Sequence, residues 1–254
     1  MWFSSWLRNQ KRQGSSRKRP TFRPTLEALE DRWVPSTLTV TSAADSGAGS
    51  LRADIAAAHR GDTIVFAPSL DGQTITLTSG ELLINKNLTI AGPGAGQLTV
   101  SGNHASRVFE VAKGTVTLSG LTISNGYLNG NANQGGGILV DSGASLTVSN
   151  SILSGNSANQ GGGINNDGTL TVSNSTLSDN AAPNGGAGSY GGGILNFGTL
   201  TVSGSTLSGN SASYGYGGGI DNEGKLTVSG GSILSDNSAY DGGGIYGPAT
   251  VSNS

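Results

Sequence analysis

Apolar and polar residues alternate in a short segment, Leu146-Thr147-Val148-Ser149, and the same four types return at residues 170–173, 200–203 and 226–229. A period of two predicts strands with one buried face. Leucine and valine share a parity and point inward. Thr147, Thr171, Thr201 and Thr227 then fall on the outer face, where a β-branched hydroxyl residue suits a pleated, half-wet surface. A second short segment carries Leu153, Leu177, Leu207 and Leu234, and a third begins at Ile138, Ile164, Ile194 and Ile220.

These segments belong to a longer repeat. Gly-Gly-Gly-Ile begins at Gly135, Gly161, Gly191, Gly217 and Gly242, and is answered by Leu-x-x-Asn. From Ile138, Ile164, Ile194 and Ile220 to Asn156, Asn180, Asn210 and Asn237 the separations are 18, 16, 16 and 17 residues. The return paths to the next isoleucine take 8, 14, 10 and 8 residues. One half of the unit is therefore nearly fixed and the other elastic, which predicts a structural wall and a loop-bearing edge. Three short strands per coil of ~25 residues, with glycine, asparagine and serine at the corners, predict an all-β parallel β-helix. Stacked coils place Asn156, Asn180, Asn210 and Asn237 above one another as a structural amide ladder, with a second column at Asn166, Asn196 and Asn222. The glycine triplets read as tight corners, since no helix or basic partner follows them as a phosphate cradle requires.

Composition agrees with a β-solenoid: there are 43 glycines, and 12% of residues are charged. Cysteine is absent, which excludes disulfides and thiolate metal sites. The net charge of −2 hides an asymmetry, because residues 1–35 carry eight Lys and Arg against three acids. Residues 36–254 carry six against thirteen. Residues 1–36 form a basic preface with the composition of a disordered segment. Nucleic acid is not an expected partner, because the arm has no interleaved aromatic residues and the rest of the chain is acidic. No apolar run has the length of a signal-peptide core or of a membrane span.

Residues 37–73 are assigned to an N-terminal strand and a capping helix. Leu51, Ile55 and Ala58 have helical spacing within 49–60, Ser50 is the expected N-cap and Gly61 the expected stop. A helix laid over the first coil covers strand edges that would otherwise aggregate. The β-helix is assigned to residues 74–254, with degenerate coils over 74–125 and regular repeats over 126–254. The final strand, 249–252, has no terminal cap after it, so the sequence is expected to continue beyond Ser254.

Three resemblances add to this reading. Thr25-Leu26-Glu27-Ala28-Leu29-Glu30-Asp31-Arg32, followed by Val34-Pro35-Ser36, resembles the preface of large exported proteins of planctomycete bacteria, and implies a cell-surface or extracellular destination. Ser50-Leu51-Arg52-Ala53-Asp54-Ile55 resembles the Cys-Ser-Leu-Arg-Glu-Ala-Ile motif that opens many bacterial surface β-helices. Glycine replaces its cysteine, and Asp54 stands where alanine is usual. The Gly-Gly-Gly-Ile and Leu-x-x-Asn pair resembles the Gly-Gly-Ala-Ile and Phe-x-x-Asn repeats of chlamydial polymorphic outer-membrane proteins over residues 121–254. That likeness implies a right-handed, pectin-lyase-like coil used for outer-membrane display or adhesion.

The function expected is non-enzymatic: an exported or surface-attached β-helix of structural or adhesive type, binding saccharide or protein along its loop edge. Tyr190, Tyr214, Tyr216 and Tyr240 lie in that edge and are the candidate ligand-binding residues, since tyrosine offers a large amphipathic face. The alternative is a polysaccharide lyase or glycoside hydrolase. Hydrolysis needs paired carboxylates across a cleft. Asp141, Asp167 and Glu223 each follow their isoleucine by three residues, but Phe197 interrupts the column. No arginine follows Arg107, and the two histidines, His59 and His104, precede the regular repeats. No catalytic residue, metal site or cofactor is assigned.

Overall fold

The computed structural model describes residues 34–130, 134–183 and 190–253. The basic preface assigned to residues 1–36 lies outside them except for residues 34–36. Over the described residues the chain is an all-β parallel solenoid of about eight turns. Three stacks of strands form its walls. The longest sheet has nine strands, starting with Thr37–Val40 and Thr63–Phe66, passing through Ser145–Ser149 and Thr169–Ser173, and finishing with Thr250–Val251. Two strands that precede residue 74 thus already belong to it. A seven-stranded isoleucine sheet runs from Leu82–Ile84 to Ile245–Tyr246, and a seven-stranded leucine sheet from Gln73–Thr76 to Ile233–Ser235.

All pairings are parallel and the repeats are in register. Leu146 faces Leu170 and Val148 faces Val172, while Ile138 faces Ile164 and Leu153 faces Leu177. Like residues therefore stack into aliphatic rows that fill the interior, and Val148, Ile164, Leu177 and Val202 are wholly buried. Because side chains alternate across a strand, the same register leaves the threonines Thr147, Thr171 and Thr201 half exposed.

At one end the helix Leu51–Ala57 buries Leu51 and Ile55 against the core. The Ser50 hydroxyl accepts from the Ala53 N–H, as an N-cap should. The helix closes at Ala58, three residues before Gly61, and Lys86 Nζ satisfies its last carbonyls, donating to Ile55 and Ala58 at 3.1 and 2.9 Å. Asp45 anchors the segment. It pairs with Arg52 at 2.6 Å and accepts from the backbone N–H groups of Thr78 and Ser79 at 3.2 and 2.9 Å and from the Ser79 hydroxyl. Burial alone would raise its carboxyl, yet the hydrogen bonds from Ser79, Arg52 and Thr78 hold it down at about 2.

Corners are held by polar columns. Asn180 Nδ2 donates backward to the Leu153 carbonyl at 3.0 Å and forward to Asn210 Oδ1 at 2.9 Å, so one amide staples three turns. Asn156 and Asn210 do the same, and Asn237 donates to Leu207. In the second column Asn166 donates to Asn196 and Asn196 to Asn222, each at 2.6 Å. A third column, of Ser151, Ser175, Ser205 and Ser232, is also buried: each hydroxyl accepts a backbone N–H from the neighbouring turn and donates to a carbonyl in its own. Its signal was present in the sequence, as a serine two or three residues after each Leu-Thr-Val-Ser.

The first glycine of each triplet adopts a left-handed conformation, with φ between 61° and 67°. The third, at Gly137, Gly163, Gly193 and Gly219, lies outside that region but has no room. A Cβ on Gly193 would lie 2.5 Å from the Gly219 carbonyl oxygen and 3.2 Å from the Asn210 amide carbon.

Candidate binding edge

The isoleucine sheet positions the site. Its three-residue strands have a middle residue that points away from the core, and pairing aligns Leu83, Glu110, Leu139, Asn165, Leu195, Asp221 and Tyr246 in one outward column. Leu83, in the first of these turns, is half exposed, whereas Asn165, Leu195 and Asp221 are fully buried. An outward residue becomes buried only when something lies over it. Here residues 134, 160, 190 and 216, at the ends of the return paths, stack through parallel bridges, and Tyr216 rests on Tyr246 of the outward column. Part of one return path is itself ordered as strand: Ser211–Tyr216 pairs with Ser238–Asp241, placing Tyr216 beside Asp241. The variable spacing of these paths predicts plain loops, and the strand pairing here differs from that.

The tyrosines separate into two groups. The Tyr190 and Tyr216 rings stack at 6.0 Å between centroids, and Tyr216 stacks on Tyr246 at 4.5 Å. This makes a three-ring platform along the axis. Tyr246 was not singled out from the sequence, because it follows its isoleucine rather than preceding a glycine triplet. Tyr214 and Tyr240, 69% and 83% exposed, stand outside the platform.

Beside the platform lies a cavity of about 280 Å³, lined by Gln160, Tyr190, Leu195, Phe197, Asp221 and Glu223. Asp221 is the unusual member. Both of its carboxylate oxygens are buried and neither has a hydrogen-bond partner. Burial, reinforced by the negative charge of Glu223, pushes its pKa up to about 6. No family model matches the chain, and no curated protein matches it. Function must therefore be argued from this edge.

The wider face is acidic. Asp141 and Asp167 follow register partners Val140 and Asn166, and both carboxyls are raised, first by burial and then by neighbouring negative charge, from Glu110 on Asp141 and from Asp141 on Asp167. The Tyr246 phenol is raised by burial, by Tyr216, and by the field of Asp241, Asp221 and Glu223. Glu110 and Glu81 share Arg107, at 2.9 and 2.7 Å, near the start of the solenoid. Among the described residues no three His, Cys, Asp or Glu side chains are grouped to hold a metal ion, and no helix is long and apolar enough to cross a membrane. What the edge offers is a flat aromatic surface beside unsatisfied acceptors. That combination suits a ligand with one apolar face and several donors.

Proposed function

We propose that this chain is a right-handed parallel β-helix of the pectin-lyase-like type, three strands to the turn. In this reading it is exported, displayed at the cell surface, and binds saccharide along the edge formed by Tyr190, Tyr216 and Tyr246. Handedness is supported by the strong right-handed preference of connections between parallel strands, and the three-strand turn by three parallel sheets. Export rests on the resemblance of residues 25–36 to planctomycete exported-protein prefaces, and display on the likeness to chlamydial surface repeats.

The single observation that carries the binding reading is the stacked platform next to a cavity with unpartnered carboxylate oxygens. Pyranose rings present C–H faces to aromatic rings and hydroxyl donors at their rims. A carboxylate accepts those donors. The test is a glycan array probed with the full chain and with Tyr190→Ala and Tyr216→Ala variants whose circular dichroism is unchanged. Loss of glycan signal in the variants supports the reading, and identical signals remove it.

A second reading, glycoside hydrolysis, draws on one observation: Asp221, raised to about 6, lines the same cavity as the exposed Glu223. Two carboxylates held at different proton affinities are what general acid catalysis requires. Release of reducing ends from a panel of polysaccharides, abolished by Glu223→Gln, would establish it over simple binding.

A further inference from the structure

The scaffold does not require a carboxylate at position 221. The three preceding turns carry Leu139, Asn165 and Leu195 in the same register, so neutral side chains fill this place in the same frame. In Asp221 both oxygens are instead removed from water and left unpartnered, an arrangement that disfavours the charged form. Glu223 lines the same cavity, and Asp241 sits in the adjoining turn opposite Tyr216. Among the described residues no cation forms an ion pair with them. Lys225 lines a different hollow, with Leu226, Pro248 and Thr250. Arg107 is held by Glu81 and Glu110 four turns away, about 19 Å at one strand spacing per turn.

We infer that the cavity takes the protonated amine of an amino sugar, with the ammonium group between Asp221 and Glu223 and the ring face against Tyr190 and Phe197. The inference rests on the saccharide reading of the same edge and narrows it. A neutral sugar could hydrogen bond to Asp221 but would leave the buried Asp221 carboxylate and the exposed Glu223 carboxylate beside it without a counter-charge. A uronate would add a third negative charge and be repelled. An ammonium group supplies the missing counter-charge and also draws on the negative faces of the flanking rings.

The test is titration calorimetry of the full chain with a fully deacetylated chitosan oligomer, its N-acetylated counterpart of equal length, and an oligogalacturonate. The deacetylated oligomer should bind at least roughly tenfold more tightly than the N-acetylated one. The oligogalacturonate should be weakest, and added salt should erode the preference. Asp221→Asn should lose the preference while keeping residual binding to the neutral oligomer. Asp221→Leu, which copies Leu195, serves as a second variant that the fold already accommodates. Equal affinity for both chitin-derived oligomers overturns the amine while leaving saccharide binding intact. Absence of binding to every oligomer, or a lysine-rich peptide preferred to all of them, overturns both.

Discussion

Asn156 Nδ2 and its backbone N–H both point at one atom, Asn180 Oδ1, at 2.9 and 3.1 Å. A single amide oxygen thus satisfies two buried donors of the preceding turn, while its own nitrogen reaches the next.

Replacing Asn180 by alanine strips the Asn156 backbone N–H of its acceptor and takes a bond from the Leu153 carbonyl, while Asn156 Nδ2 keeps the Ile123 carbonyl and Asn210 Oδ1 keeps the residue 180 N–H. Because unsatisfied buried groups cost more than the bonds themselves contribute, the loss should be about 3 kcal/mol or more. Denaturant unfolding of Asn180→Ala against wild type measures it. Asn237, half-buried, should tolerate the same change better.

Gly193→Ala should destabilise by about 2 kcal/mol or more, since the added methyl meets the Gly219 carbonyl of the adjoining turn rather than a movable side chain. Gly143→Ala is the control. Its Cβ meets nothing, so only the strain of φ 81° remains. A smaller fall in melting temperature for Gly143→Ala than for Gly193→Ala is the expected order.

Acid should loosen the cap. The Asp45 carboxyl is held at about 2, below its unfolded value, so its contribution is complete above about pH 4 and is lost as pH falls toward 2. Hydrogen exchange of the helix Leu51–Ala57 should accelerate over that window, and Asp45→Asn should show the faster exchange already at pH 7.

Asp221 has the opposite sign. Its folded pKa, about 6, lies above the unfolded value of 3.8, so the stabilisation is full below about pH 4 and disappears as pH rises through 6. Apo protein should lose on the order of 2–3 kcal/mol between those limits from this group. Glu223, Asp241 and the Tyr246 phenol face it, and Asp141 and Asp167 titrate in the same direction further along. The measurement is therefore the difference between wild type and Asp221→Asn across pH 4–8, which should be largest at the alkaline end, with the variant more stable.

The repeat was legible because a parallel stack turns sequence spacing directly into spatial register. Ile138, Ile164 and Ile194 are aligned in the chain and paired in the sheet for the same reason. Asp221 was not legible as a cavity residue. In the strand it occupies an outward parity, which reads as solvent exposed, and it became buried only because the return path through Tyr216 crosses over it. Tyr246 escaped for a related reason: it reaches the Tyr216 ring from the neighbouring turn, a contact between positions that are not equivalent in the repeat. Tyr214 and Tyr240 show the converse, being neighbours of the platform in the chain but turned to solvent.

The residue before each glycine triplet changes from Gln134 and Gln160 to Tyr190, Tyr216 and Asp241, yet the main chain bridges in parallel through all five. Identity at that place is uncoupled from the frame that holds it. The edge therefore behaves as a row of exchangeable type slots, in which a new specificity can be composed one letter at a time without recasting the press.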